Sequence, residues 1–521
     1  MTGALTSIII KFRPLSLLPS VGNLVFLGIF LELTCLGNTH SLLGDTDTGY
    51  HIRVGELILA THSVPSYDVF SFHSPPLSWT AHEWLSEVVM ALVHRISGLT
   101  GIVIFFALII SLTYYLLFSS LRANHKNILL IVFFVSLVVA SSGLHWFARP
   151  HIFSLLLTLA YSQVLDAYQY RNRSYLWALP ILMILWVNLH GGFIIGFVLI
   201  ALYLAGNLIR GRAATPKTFP LALVLAGCFL TSLVNPYGYH ILLFPLNLVS
   251  NEFLMNHIRE YLSPDFHSIL PFRYLLYFTI VLCALSKSDF DIIELALILS
   301  FLHMALYSAR YIPLFAIVIS PTLMRHAESL INGHGGQFVN YFKTRSEGIA
   351  RIDASSNTYL WAIVTGIAVF VAIANGKIHF QFDERVSPRT ALEFLKNEKL
   401  TGNMFNNETF GDSVIYTAWP EYKVFVDGRF DIYGTSRMKD YVSVVFLSPN
   451  WQHVLEKYNV NFVFETARSP LSLLLMERKD WHLIYADAVA NIFVRNTTAN
   501  QDIIQKFPNV KQPVRAPTAP S

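Results

Sequence analysis

Apolar residues run through this chain in long blocks separated by short polar breaks. Blocks at roughly 17–37, 101–121, 128–145, 151–169, 175–190, 192–210, 219–235, 269–286, 290–307, 311–326 and 358–376 predict about eleven spanning helices, several near the short end of what a bilayer requires. One more apolar segment, His82 to Ser97, carries Glu83, Glu87, His94 and Arg95 and is ambiguous on pattern alone. From Lys377 onward the apolar runs shorten to strand length, as in Lys423-Val424-Phe425-Val426 and Asn461-Phe462-Val463-Phe464. Helix-like segments, Met438–Phe446 and Trp451–Tyr458, lie between them, and the alternation predicts a small α/β domain over 377–500. The last stretch, 501–521, has four prolines and little apolar content, so it is expected to be disordered. No internal repeat is visible.

Loop charges resolve the ambiguous segment. If His82–Ser97 spans, the loops with Arg122 and Lys126, with Arg171 and Arg173, and with Arg210, Arg212 and Lys217 lie outside. If it lies along the surface, these loops and the basic 325–351 segment all face the cytoplasm, as the bias of basic residues toward that side favours. The expected architecture is therefore a polytopic α-helical membrane protein. Its transmembrane module covers 1–376 and includes a long first outer loop, 38–100, with surface helices. The N-terminus is then cytoplasmic and the C-terminal α/β domain extracytoplasmic.

Composition agrees. Hydrophobic residues make up 54% of the 521 positions and charged residues 13%, where a soluble domain has about a quarter charged. A net charge of +4, with no basic tract interleaved with aromatics, argues against nucleic-acid binding. Cys35, Cys228 and Cys283 all fall in apolar stretches and suggest neither a disulfide framework nor a zinc site. Lys11 and Arg13 precede the first apolar run without a convincing cleavage site, so that run reads as a retained helix.

With this orientation, polar residues gather on one side of the membrane. Asp45, Asp47, His51, Arg53, His82, Glu83, Arg149, His151, Asn188, His190, Glu260, Asp265, His267 and Arg310 all fall in outer segments. Carboxylates at a bilayer surface are costly to place and suited to base or metal chemistry, so the acidic cluster directly after the first span points to a membrane enzyme.

The motifs Asp45-Thr46-Asp47-Thr48-Gly49-Tyr50-His51, Trp79-Thr80-Ala81-His82-Glu83-Trp84-Leu85, Ala148-Arg149-Pro150-His151, Trp186-Val187-Asn188-Leu189-His190-Gly191-Gly192 and Asn235-Pro236-Tyr237-Gly238 follow that first helix in order. Together with Phe425-Val426-Asp427-Gly428-Arg429-Phe430-Asp431-Ile432-Tyr433-Gly434 in the tail, they resemble a bacterial group within the glycosyltransferases of the C-type membrane fold. Protein O-mannosyltransferases and the aminoarabinose transferases that modify lipid A are similar. Those enzymes carry a Lys-Pro-Pro or His-Pro-Pro element where this chain has His82-Glu83-Trp84. The resemblance implies transfer of a sugar, with inversion, from a polyprenyl-phosphate donor to an envelope acceptor (protein, lipid or polysaccharide) at the outer face of the plasma (inner) membrane.

Such a transfer needs a base for the acceptor hydroxyl, cations for the leaving phosphate and a groove for the lipid. By position the resemblance makes Asp45 the base and Asp47 its partner, although Asp-Thr-Asp-Thr before a helix at Gly49–Ala60 also reads as an N-cap. A divalent cation, magnesium or manganese, is open at Asp45 and Asp47, but two acids are too few ligands to establish one. Arg149 and Arg310, with His151, are the candidates to hold phosphate, because a guanidinium fork matches it. Each arginine could instead cap a helix or reach to the headgroups. His51, His82, Glu83, His190 and Glu260 are candidates for acceptor binding or support, with Arg53, Asp265 and His267 behind them. The Asn188–Gly192 break serves equally as a tight turn between spans, and Asp427-Gly428-Arg429 reads first as a turn that docks the tail. Two other classes remain open. A transporter or flippase would usually show internal symmetry and ionisable groups at mid-membrane depth. A non-catalytic envelope-assembly factor would keep the fold without the chemistry.

Overall fold

A computed structural model of the chain describes residues 18–36, 42–210, 217–268, 270–286, 288–333, 335–356, 360–384 and 386–513. The apolar blocks form α1 (Val21–Leu31), α2 (Asp47–Thr61), α3 (Trp84–Asn124), α4 (Ile128–Ser142), α5 (His151–Arg171), α6 (Ala178–Leu189), α7 (Ile194–Ile209) and α8 (Thr218–Ser232). They continue as α9 (His240–Val249), α10 (Glu252–His257), α11 (Pro271–Leu285), α12 (Ile292–Tyr307), α13 (Ile312–Asn332), α14 (Gln337–Ser355) and α15 (Leu360–Ala374).

Every block expected to span contains a helix, but the count of eleven crossings does not follow from helix length. Among the described residues four helices, Trp84–Asn124, Ile128–His145, Gly191–Ile209 and Ala309–Asn332, are long and apolar enough to cross a membrane, or five if α14 and α15 count together. Helices α6, α8, α11 and α12 run only 12 to 16 residues. At 1.5 Å rise per residue these reach about 18–24 Å, short of a hydrocarbon core of about 30 Å. Outward-facing Leu223, Leu230, Tyr274 and Ile280 are each more than half exposed, as side chains meeting lipid rather than water would be. The chain is an integral membrane protein.

Helix α3 covers the ambiguous segment and is broken at its end. It is two helices joined at Ser97–Gly98, where Gly98 takes φ +59°, a conformation that glycine adopts without strain. The portion before the break packs along α2. A Cβ on Gly55 would lie 1.9 Å from the Glu87 carbonyl oxygen, so the two helices meet at a distance only glycine permits.

The tail contains α16 (Arg389–Glu398), β1 (Asn403–Asn406), α17 (Glu408–Ala418), α18 (Phe430–Val445), α19 (Trp451–Lys457), β2 (Val460–Thr466), α20 (Pro470–Glu477), β3 (Trp481–Ala486), β4 (Ala490–Arg495) and α21 (Gln501–Lys506). Its sheet has the order β1-β2-β4-β3, with β1 parallel to β2 and the other pairs antiparallel. Two expectations are corrected. Lys423–Val426 is not a strand of this sheet; Val424 instead exchanges backbone hydrogen bonds with the first outer loop, to Phe70 O (3.0 Å) and from Phe72 N (3.3 Å). The chain is also ordered well past residue 501, because Ile503, Ile504 and Phe507 pack against the tail's apolar core; residues 514–521 lie outside the described residues.

A division at residue 376 does not follow the packing. Tyr50, Val54, Ile58, Phe70, Leu77 and Trp79, between α1 and α3, share one hydrophobic core with Phe405, Val414, Phe425, Tyr433 and Phe462 of the tail. Buried Arg429 fastens the two. Its guanidinium holds Asp427 (2.9 and 2.7 Å) and Asp68 (2.8 Å), and lies 4.9 and 4.6 Å from the ring centroids of Phe70 and Trp79. The Asp427-Gly428-Arg429 turn thus docks the tail on the loop. An Arg429→Leu variant leaves Asp68 and Asp427 buried without their cation, at an expected cost of about 3–5 kcal/mol. The check is a lower melting temperature for the detergent-purified protein, with earlier proteolytic release of the tail.

Candidate functional site

The site forms where the segment between α1 and α3, the ends of the helix bundle and the tail meet. Helix α2 begins within the acidic motif, at Asp47, and Asp45 Oδ1 accepts the Asp47 N–H (3.0 Å) there. Thr48 Oγ donates to the Ala148 carbonyl (3.1 Å), which fixes α2 against the turn before α5. Arg149 projects from that turn into the carboxylates. Its Nη1 pairs with Asp45 (2.5 Å) and Glu260 (2.7 Å), and its Nη2 with Asp47 (2.8 Å). Glu260 also faces Arg310 Nη1 at 3.9 Å, while Arg310 donates to the Tyr261 hydroxyl (3.4 Å).

The tail contributes an acid that the sequence reading missed. Asp412 on α17 accepts the Gly428 N–H (3.0 Å) and contacts the Asp47 carboxyl. Burial pushes both Asp47 and Asp412 well above the usual carboxylate range; the charges of Asp45 and Glu260 add to the rise of Asp47, and those of Asp47 and Asp427 to the rise of Asp412. Burial works the same way on Glu260, but Arg149 and Arg310 outweigh it and hold that carboxyl well below its ordinary value. The three acids raise Arg149 against its own burial.

Beside this cluster lies a cavity of about 170 Å³, walled by His51, His82, Glu83, Glu87, Arg149, His151, His190, Arg310 and Asp431 among others. Glu83 stands at its centre, 3.3 Å from His190 Nε2, 3.6 Å from His82 Nε2 and 3.7 Å from His51 Nδ1. His190 is oriented through its other nitrogen. Nδ1 accepts the Gly192 N–H (2.9 Å) and lies 2.8 Å from Ser154 Oγ, so Nε2 carries the proton toward Glu83. Burial pushes Glu83 up to about 7, and it pushes His51 and His190 well down, so both rings are neutral. Glu87 lies one turn beyond Glu83 and meets His51 Nδ1 at 3.1 Å.

The structure therefore brings together Asp45, Asp47, Arg149, Glu260 and Arg310 as one ionic cluster, and His51, His82, Glu83 and His190 as a second group. Asp45, Asp47 and Glu260 meet Arg149 without lining the cavity. His151 lines it, but its Nε2 is hydrogen bonded to the His145 carbonyl (2.8 Å). Arg53 turns away to Glu56 (2.7 Å) and the Ile415 carbonyl, and Asp265 and His267 form an exposed local turn. Asn188 is a brace, joining the Trp84 indole (2.8 Å) to the Val234 carbonyl (2.9 Å). Glu87 also escaped the sequence reading as a site residue, although its spacing of four from Glu83 places both on one helix face. Asp412 carried no comparable signal.

No protein-family model and no curated protein matches the sequence. Solved structures do. The fold is similar to the archaeal oligosaccharyltransferase AglB from Archaeoglobus fulgidus, solved in complex with an inhibitory peptide and a dolichol-phosphate. The TM-score is 0.58 at 12% identity, over 85% of this chain and 69% of that one. A second structure, of an Archaeoglobus fulgidus oligosaccharyltransferase in the apo form, gives a TM-score of 0.52 at 12% identity, over 95% and 76% of the two chains. The C-type membrane fold is thus shared. The narrower likeness to O-mannosyltransferases and aminoarabinose transferases rests on the motifs alone.

The Glu83 displacement gives a pH test. A carboxyl raised from 4.5 to about 7 in the folded protein contributes stability that is complete below pH 4.5 and lost as the pH rises through 7, up to about 3 kcal/mol. In metal-free buffer, the melting temperature of wild type should fall more steeply between pH 5 and 8 than that of Glu83→Gln. Parallel curves would show that Glu83 titrates as an ordinary acid.

Proposed function

We propose that the protein is a membrane glycosyltransferase that moves a sugar, with inversion, from a polyprenyl-phosphate-linked donor to an envelope acceptor. The reaction takes place on the extracytoplasmic face. In this reading about eleven segments cross the inner membrane, with the N-terminus in the cytoplasm and the tail outside. The observation that carries it is the pair of guanidiniums, Arg149 and Arg310, on the wall of a cavity at one end of the bundle. The likeness to an oligosaccharyltransferase solved with a dolichol-phosphate supports the same donor class.

Glu260 marks where the phosphate sits, because its two oxygens already bridge Arg149 (2.7 Å) and Arg310 (3.9 Å) as a phosphate would. It is also the most exposed of the three acids on Arg149, so it is the one an incoming phosphate displaces. Asp45, with a fifth of its side chain exposed, takes the acceptor proton, while buried Asp47 locks Arg149 toward the tail. His51, His82, Glu83, His151 and His190 shape the cavity on the other side of the guanidinium.

Two substitutions test this. Asp45→Asn, expressed in the native host at normal level, should remove one sugar from one envelope product when glycans and glycoproteins are profiled by mass spectrometry. Turnover with purified protein should fall by about 10²–10⁴-fold. An unchanged profile, where deletion of the whole chain does cause a defect, would overturn Asp45 as the base and favour an assembly factor. Glu260→Gln weakens the carboxylate that competes for the guanidiniums, so the KM for the lipid donor should fall severalfold while the fold is retained.

A further inference from the structure

We infer that His51, Glu83 and Glu87 form a binding site for one divalent transition-metal ion, of the zinc or manganese kind, on the cavity wall. This is a different place from the Asp45–Asp47 pair. Among the described residues these three form the one group of histidine and carboxylate side chains whose ligand atoms all approach within 4.8 Å of one another. Two ligands about 2.1 Å from one ion, at angles near 90–110°, lie about 3.0–3.5 Å apart. His51 Nδ1 stands 3.1 Å from Glu87 Oε1 and 3.7 Å from Glu83 Oε2, close to that spacing.

A second observation points to a ligand. Glu87 is 2% exposed, and its Oε2 has no hydrogen-bond partner. A buried carboxylate oxygen left unpaired needs an explanation, and an ion held by His51 and Glu83 supplies one. The nearby cations are committed elsewhere, Arg149 to Asp45, Asp47 and Glu260, and Arg429 to Asp68 and Asp427. Among the described residues the basic side chains paired with the Glu83 and Glu87 carboxylates within 4.0 Å are all histidines.

The backbone holds the ligands in place. His51 and Gly55 are one turn apart on α2, and Glu83 and Glu87 one turn apart at the start of α3. The contact at Gly55 brings the helices close enough for His51 to reach both acids. One imidazole with two carboxylates suits zinc or manganese better than an all-oxygen site would. The ion would face the cavity that Arg149 and Arg310 also line, where it adds positive charge for a phosphate. That role, though not the site, rests on the glycosyl-transfer reading.

The test uses full-length protein in detergent, stripped with chelator and reloaded with Zn²⁺ or Mn²⁺ alone. Bound metal is counted by mass spectrometry, Mn²⁺ is followed by paramagnetic resonance, and a melting curve checks folding. One ion per chain is expected in wild type and in Asp45→Asn. Binding should weaken at least tenfold in Glu87→Gln and in His51→Ala, with loss of the metal-dependent rise in melting temperature. If Glu87→Gln does not fold, Glu87→Asp, which withdraws the carboxylate by one methylene, should show the weaker binding. Wild type that binds no ion, or Glu87 and His51 variants that bind as tightly as wild type, would overturn the site. So would loss of the ion in Asp45→Asn alone. An ion bound by a protein that transfers no sugar would overturn the transfer reading and leave the site standing.

Discussion

The Arg149 guanidinium is the point at which the parts of this protein are joined. It reaches Asp45 and Asp47 at the start of α2, and Glu260 in the segment before α11, from its own position between α4 and α5. Through Asp47 the network continues to Asp412 and Gly428 of the tail. A buried charge of this kind contributes little net stability when all its partners are present, yet loss of one partner is expensive. The network therefore acts mainly on geometry. It penalises any arrangement in which loop, bundle and tail are not all seated, and so holds a polar site in register at the end of an apolar bundle.

Two helix encounters refine that register. The glycine contact between α2 and α3 removes the freedom of the surface helices to slide, since a side chain at Gly55 has no room. Arg429, stacked between Phe70 and Trp79 and paired with acids on both sides of the interface, does the same for the tail. The first outer loop has no core of its own, and it is built from the tail's hydrophobic side chains as much as from its own. The residues nearest the cavity thus sit on helices braced from two directions, as preorganised chemistry requires.

Much of this was legible in the chain. Long apolar blocks marked the helices, and the polar end of the segment at His82–Ser97 coincides with a break in α3 at Ser97–Gly98. The acidic motif and the outer arginines and histidines did converge, because residues at alternate helix ends must meet at one end of a bundle. The failures have physical causes. Lys423–Val426 has strand character, but its pairing partner, the loop at Ser71, lies some 350 positions away, beyond any local pattern. Residues past 501 carry prolines, yet three apolar side chains suffice to seat them on an existing core. Asp412 and Glu87 were overlooked because an acid on an amphipathic helix normally faces water, and only the docking of a second element shows that it does not. Helix length gives fewer crossings than the eleven apolar blocks, since several apolar helices are shorter than a bilayer.

The charge balance of the site constrains what can enter it. Three carboxylates converge on Arg149, and Glu83, Glu87 and Asp431 line the adjacent cavity, against the guanidiniums of Arg149 and Arg310. An anionic ligand could not approach that surplus of acids as ionised groups. Burial already answers part of the problem by raising Asp47, Asp412, Glu83 and Asp431, so that protons stand in for missing cations. In the proposed transfer the remainder is met as the phosphate binds, either by a carboxylate leaving its arginine or by positive charge entering beside it. In the proposed reading Glu260, half-buried and bridging, serves the first, and an ion at His51, Glu83 and Glu87 the second. On that reading the acids disfavour an anion until one of these exchanges accompanies its binding.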